Sequence, residues 1–415
     1  MAGSTGSTGA RYAVAVWALT RVALLLCVTK VITLPGPDVT SDVSAIYHGW
    51  SEVLKSGTYP QDDVTWQYPP LAALAVLSPG LLPMLDYTSA FFVLVCLCDL
   101  LVLGLLLYAG RGEGRSQAGT WVWVAGVPLL GTTAYARYDV MVTAVAVAAL
   151  LAGVRHPRVL GALAAVGGLL KVWPALLLAG TARGRQTRLA WGAAAVTAAG
   201  LLAGCVLAMP GALAFLGFQR DRGTEIESLG GLVFHVARQF GWSGRIELHY
   251  GSMEFLGPRV PLVSTLALGL SVLALGWLLL WRLRARDFTL STPADAAFTA
   301  VLLFTTTSRV ISPQYMLWLV GLAAVCLVFR GGRMALPAVL VLAATGVTQA
   351  EFPLGFVHVV SSDATGVTLM FLRNGLLVAA TLIACQRLWR RTVPRAADAT
   401  ASAAGTGRVA EPAGT

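Results

Sequence analysis

The chain has 415 residues, of which 56% are hydrophobic and only 12% charged, with a formal net charge of +10. A soluble domain carries about 25% charged residues, so this composition excludes an ordinary soluble enzyme and indicates a polytopic membrane protein. The positive charge does not indicate nucleic acid, because the basic residues, nearly all arginine, are spread through short loops between apolar runs, the pattern that membrane orientation produces.

Residues 1–11 are low in complexity and are expected to be disordered. The apolar run 12–33 reads as the first span, a signal anchor that stays, since no small-residue cleavage site precedes the next charged loop. Segment 34–86 is polar where its surroundings are apolar. Between Asp38 and Pro70 it carries Asp38, Asp42, Asp62, Asp63, Glu52, His48, Tyr47, Tyr59 and Tyr68. Helical spacing with Val43, Ile46, Tyr47 and Trp50 on one side predicts a helix over 41–56 along the membrane surface. After Tyr68-Pro69-Pro70 the apolar stretch is broken by Pro79, Gly80 and Pro83, which predicts a re-entrant or surface hairpin too short to span.

Further spans are expected at 87–110, 119–134, 138–154, 187–209, 261–281, 294–308, 314–330, 334–349 and 365–386. Residues 159–181 have arginines beyond both ends, Arg155 and Arg158 before, Arg183, Arg185 and Arg188 after. Gly167, Gly168 and Pro174 allow two short helices turning near Lys171, and counting this hairpin gives about twelve crossings. With the N-terminus inside, most basic residues fall on the inner side and most acids on the outer. Both termini are then cytoplasmic at the plasma membrane, and the polar segments 34–86 and 210–260 are extracytoplasmic. The Ala/Gly/Thr-rich tail 390–415 is expected to be a disordered cytoplasmic extension of one transmembrane domain, 12–389.

Cys27, Cys96, Cys98, Cys205, Cys326 and Cys385 all lie in apolar segments and read as small buried hydrophobes. No histidine, cysteine or carboxylate spacing of a metal site appears, so neither metal nor cofactor is expected.

Asp42 heads the candidate residues. It starts a predicted helix in aromatic surroundings, where a carboxylate can serve as general base; from the residue alone, Ser41 or Asp42 capping that helix is the simpler reading. Arg137-Tyr138-Asp139 opens a span, where an acid and a base either bind substrate or pair with each other. In Ser308–Tyr315, Arg309, Ser312 and Gln314 gather donors that suit a lipid phosphate, the alternative being a snorkelling arginine in an ordinary turn. Lys171 has the same two readings. Arg373, beside Asn374, lies inside the last span and needs either an outer cavity or a partner helix. Arg21 and Asp99 are expected to pair with each other.

The order of these pieces resembles glycosyltransferase family 87, the polyprenol-phosphate-mannose-dependent mannosyltransferases of the GT-C superfamily. The pieces are Asp42-Val43-x-x-Ile46-Tyr47, Tyr59-Pro60, Tyr68 to Leu74, Arg137-Tyr138-Asp139, Lys171 to Leu178, Ser312 to Trp318, and Arg373-Asn374. The resemblance covers roughly 12–390 and implies an all-α GT-C-type helical bundle with extracytoplasmic loop helices. It implies an inverting transferase of the cell envelope that takes a mannosyl unit from a polyprenyl-phosphate donor. The acceptor would be a hydroxyl of a glycolipid or glycan. Its catalytic aspartate matches Asp42, with Arg309, Lys171 and Arg373 offsetting charge on the departing phosphate. Arg137, Asp139, Ser312, Gln314, Tyr315, Tyr47 and Tyr68 are then expected to bind substrate. Some relatives place a histidine where this chain reads Ser312-Pro313-Gln314-Tyr315. The competing reading is a transporter or lipid flippase, which should show repeated halves and a midplane site; here the polar groups gather at one face.

Overall fold

Long apolar sequences must satisfy every backbone group internally, and the chain does so almost wholly as helices. The computed structural model describes residues 2–220 and 222–394. Helix α1 (Ala2–Val28) precedes a π-helical turn (Asp42–Tyr47) that runs into α2 (His48–Lys55). Next come α3 (Ala72–Leu77), α4 (Tyr87–Ala109), α5 (Ala118–Leu129), α6 (Asp139–Gly153) and α7 (Pro157–Leu170). A 3-10 helix (Trp173–Gly180) leads to α8 (Arg185–Ala208) and the short α9 (Phe215–Arg220). Strand β1 (Thr224–Glu225), α10 (Leu229–Gln239), β2 (Arg245–His249) and β3 (Ser252–Leu256) follow. The chain closes with α11 (Val260–Arg284), α12 (Thr292–Thr307), α13 (Tyr315–Val328), α14 (Ala335–Gln349), a π turn (Ala350–Leu354), α15 (Phe356–Ser361) and α16 (Ala364–Thr392).

Among the described residues six stretches are long and apolar enough to cross a membrane unaided: Thr8–Val28 of α1, α4, α8, α11, Ala335–Leu354 and α16. The remaining expected spans fall on the shorter apolar helices α5, α6 and α13, on α12, and on the 159–181 hairpin, whose first half is α7. That hairpin has the expected form. Helix α7 ends at Leu170, Lys171 is extended (φ −159°, ψ 134°), and the chain returns as the 3-10 helix. The first residues, expected to be disordered, instead continue α1 back to Ala2. At the other end α16 carries Arg390 and Arg391 to Thr392, and the tail from 395 lies outside the described residues.

Helix α13 is the axis of the bundle, with Met316–Cys326 buried throughout. Glycines let its neighbours approach backbone to backbone, as close helix packing in lipid requires. A Cβ on Gly119 of α5 would meet the Ala324 carbonyl oxygen at 2.1 Å, and one on Gly161 of α7 would meet that of Ala190 in α8 at 2.0 Å. Charge inside the bundle is paired. Arg21 Nε lies 2.8 Å from Asp99 Oδ2, and Asp99 also accepts from Trp17, Trp123 and Tyr135. This is the expected pair, and the carboxylate joins α1, α4, α5 and the Tyr135 turn.

The first polar segment departs from its expected helical face. Val43, Tyr47, Trp50 and Leu54 are buried, but Ile46 is 39% exposed, because a π turn advances more residues per turn than the α spacing assumed. The second polar segment, for which no strand was anticipated, holds an antiparallel sheet in the order β1-β3-β2. With α10 it packs around Ile226, Phe234 and Phe255. The two polar segments are joined by Tyr59 N donating to Pro210 O (3.0 Å) and Gln67 Nε2 to Tyr250 O (2.8 Å).

In this second segment His235 is fully buried. Its Nε2 donates to Ile226 O (2.9 Å), which leaves Nδ1 to accept from Ser362 Oγ (2.7 Å). Burial lowers its pKa to about 4, with Arg238 acting in the same direction. The unfolded chain, with an ordinary histidine near 6.5, therefore binds the proton first, and stability is lost as pH falls from about 6.5 through 4. The loss should reach about 3 kcal/mol at about 1.4 kcal/mol per pH unit. Thermal unfolding against pH checks this, and His235→Gln should remove that acid limb.

Candidate active site

The site is built where the π turn meets the start of α6. Single π turns are uncommon and often mark functional positions. Ser41, at the cap position, makes no side-chain capping bond, and Asp42 is not spent on the backbone either. Its Oδ2 lies 2.6 Å from Arg137 Nη2, with side chains 30% and 12% exposed. The capping reading therefore gives way to an ion pair at an accessible edge. Arg137 Nη1 donates to Val39 O (3.2 Å) and Ala136 O (2.8 Å), so the guanidinium also fixes the chain entering the π turn.

Asp139, two residues on, is fully buried as the first residue of α6. Lys171 Nζ (2.7 Å) and Trp318 Nε1 (2.5 Å) both donate to its Oδ1, while Oδ2 has no hydrogen-bond partner among the described residues. The ammonium of Lys171 lies 5.1 to 5.8 Å from the ring centres of Tyr68, Tyr138, Tyr315 and Trp318. Such faces stabilise a desolvated cation. Trp318 is stacked between Tyr315 (3.9 Å) and Trp173 (5.4 Å).

Aromatic rings connect the two ion pairs. Tyr47 packs on Tyr138 (5.9 Å), which meets Tyr68 edge-on (5.3 Å). The Tyr47 hydroxyl is buried without a hydrogen-bond partner among the described residues. Burial, with the nearby Asp139 charge, pushes the Tyr68 phenol up to about 12, so it stays a hydrogen-bond donor at neutral pH. Asp42, Arg137, Tyr47, Tyr68, Asp139, Lys171 and Tyr315 thus form one continuous cluster.

The other expected site residues sit elsewhere. Arg309 Nη1 donates to Arg222 O (2.7 Å) and Ser264 Oγ (3.4 Å). Ser312 Oγ donates to Glu225 Oε1 (3.2 Å), and the same carboxylate accepts from Ile311 N (2.5 Å). Gln314 is half-buried just before α13. Arg373 is fully buried, 2.7 Å from Glu351 and 3.7 Å from Glu227, and donates to Ile311 O (3.4 Å) and Glu227 O (3.1 Å). It found a partner helix end and not a cavity. Burial, reinforced by the neighbouring Glu225 and Glu351 carboxylates, pushes Glu227 well above the usual carboxylate range. Together these groups hold the 309–313 strap that delivers Tyr315 and Trp318 to Lys171.

Sequence reasoning missed Glu225, Glu227 and Glu351, which lie in stretches with no motif, and Trp173 and Trp318, which lie inside the Lys171–Leu178 and Ser312–Trp318 motifs themselves. Among the described residues no group of three or more histidine, cysteine or carboxylate side chains could hold a metal ion.

Residues 66–313 match the family model of glycosyltransferase family 87. No curated protein and no solved structure matches the chain.

Proposed function

The chain belongs to glycosyltransferase family 87, and from that membership we propose an inverting transferase that moves a mannosyl or related unit from a polyprenyl-phosphate donor to an acceptor hydroxyl. Family membership favours glycosyl transfer over the transporter reading. The observation that carries the reading is the Asp42–Arg137 pair, an accessible carboxylate at the open edge of a buried aromatic and cationic cluster.

Asp42 takes the proton of the acceptor hydroxyl as that oxygen attacks the anomeric carbon. The bond from that carbon to the phosphate oxygen breaks, and the polyprenyl phosphate leaves with the electron pair. Fixed cations offset the charge that develops on it. Arg137, paired with Asp42 at the accessible edge, and Lys171, in the aromatic cluster that adjoins it, are placed for this task, whereas Arg373 is paired with Glu351 and Glu227. Arg309 and Ser312 belong instead to the strap beside the site. The donor is lipid-linked, the acceptor is a glycolipid or glycan, and the site lies on the extracytoplasmic face of the plasma membrane with both termini cytoplasmic. The six membrane-length helices support membrane embedding.

The test is transfer by purified protein in lipid vesicles, offering labelled mannose either on polyprenyl phosphate or on a nucleotide. Transfer from the lipid-linked sugar alone, with inverted anomeric configuration, is expected; transfer from the nucleotide sugar, or retention, contradicts the reading. Lys171→Met should lower kcat/KM by about 10²- to 10³-fold, the usual loss on removing one preorganised electrostatic partner. Because that variant leaves Asp139 buried without its cation, Lys171→Met/Asp139→Asn should recover thermal stability but not transfer.

A further inference from the structure

A groove of about 770 Å³ runs between the 45–53 helix face and the loop 58–65 of the first polar segment. It belongs to neither ion pair described above. One wall includes Ala45, Ile46, Gly49, Trp50 and Val53; the other is made by 58–63 and Thr65. The walls are bonded to each other, since Trp50 Nε1 donates to Asp63 Oδ2 (2.8 Å). Asp63 Oδ1 accepts from Thr65 N and Oγ1 (2.8 and 2.6 Å), and Tyr59 is tied to Pro210 O and Pro70 O. The groove is therefore preformed, and its volume lies within the range of small-molecule sites, about 300–1,000 Å³.

We propose that this groove is the acceptor subsite and that its occupant is a neutral glycan; the inference rests on the functional reading given above. Position is the first argument. Ala45 and Ile46 lie one helical turn from Asp42, and an acceptor hydroxyl has to reach that carboxylate to lose its proton. Charge is the second. Among the described residues no lysine or arginine lines the groove, whereas Asp62 and Asp63 do, an arrangement that repels a phosphate. Lys55, just beyond it, is paired with Glu52 at 2.8 Å. The donor phosphate is thus directed to Arg137 and Lys171, and the groove is left to an uncharged ligand. Lining chemistry is the third. Thr58, Gln61 and Asp62 offer hydroxyl, amide and carboxylate partners beside apolar Ile46 and Val53, which suits a sugar's hydroxyls and its C–H faces.

Gly49 gives a clean test, because a Cβ there meets nothing within 4 Å. Gly49→Phe extends a ring from this groove-lining position. With polyprenyl-phosphate-mannose as donor and octyl α-mannoside as acceptor, it should raise acceptor KM by about tenfold or more. Donor KM, and kcat at saturating acceptor, should stay within about twofold of wild type. Val53→Trp, from the same exposed helix face, should act alike and serves if Gly49→Phe does not fold. Unchanged acceptor KM in both variants, or equal rises in donor and acceptor KM, overturns the proposal. Saturation-transfer NMR of octyl α-mannoside separates the two levels of inference. A wild-type protein that transfers nothing sinks the functional reading, yet a binding signal lost in Gly49→Phe still supports a glycan groove; a signal that Gly49→Phe leaves intact overturns it.

Discussion

Asp42→Asn should lower kcat for glycosyl transfer by about 10²- to 10⁴-fold, the range expected when a positioned general base is removed, with little change in donor KM. The asparagine is nearly isosteric and keeps an oxygen that can accept from Arg137, so the fold should survive. What it loses is the capacity to take a proton at an edge that is 30% exposed beside a cation only 2.6 Å away. Asp42→Glu keeps the base but lengthens its reach beside Arg137, so it should retain more activity than Asp42→Asn. Steady-state kinetics with matched unfolding curves check the result.

The largest structural effect is expected at Asp99→Leu. That carboxylate accepts hydrogen bonds from Trp17, Arg21, Trp123 and Tyr135, and both it and Arg21 are essentially inaccessible. Removing it leaves the Arg21 guanidinium charged inside the bundle, held by Thr20, the Val124 and Trp123 carbonyls and the Trp17 ring. Breaking one side of a buried pair costs about 3–5 kcal/mol. Replacing both sides, as in Arg21→Met/Asp99→Leu, should restore most of it, since buried pairs often exchange for apolar contacts with little net change. Thermal or denaturant unfolding of the purified protein measures both.

Several of these features were legible in the sequence for physical reasons. Two charges in otherwise apolar helices have few alternatives to meeting each other, so Arg21 and Asp99 were readable as a pair. The turn at Lys171 was readable because Gly167, Gly168 and Pro174 weaken a continuous helix. Asp42 could be ranked only through the order of motifs, since from its residue type and position alone a helix cap is the simpler reading. The structure pairs it with Arg137, ninety-five positions away, and no local pattern carries that contact.

The same limit explains Arg373. Its cost inside a span was evident, but its partners Glu351 and Glu227 come from α14's end and the second polar segment. Ile46 was misassigned because a π turn rotates it off the α-helical face. Strands β2 and β3 did carry a signal, alternating Ile246 and Leu248 with polar neighbours, then Met253 and Phe255, around Tyr250-Gly251. In a chain dominated by membrane helices, strands of five residues are too short for that alternation to stand out.

The most direct measurement is a single-turnover assay with labelled polyprenyl-phosphate-mannose in lipid vesicles, scoring donor binding and product in the same sample for wild type and Asp42→Asn. Both should bind the donor, and only the wild type should transfer at an appreciable rate. Wild-type transfer matched by Asp42→Asn would contradict it, and so would a variant whose loss is entirely a loss of donor binding.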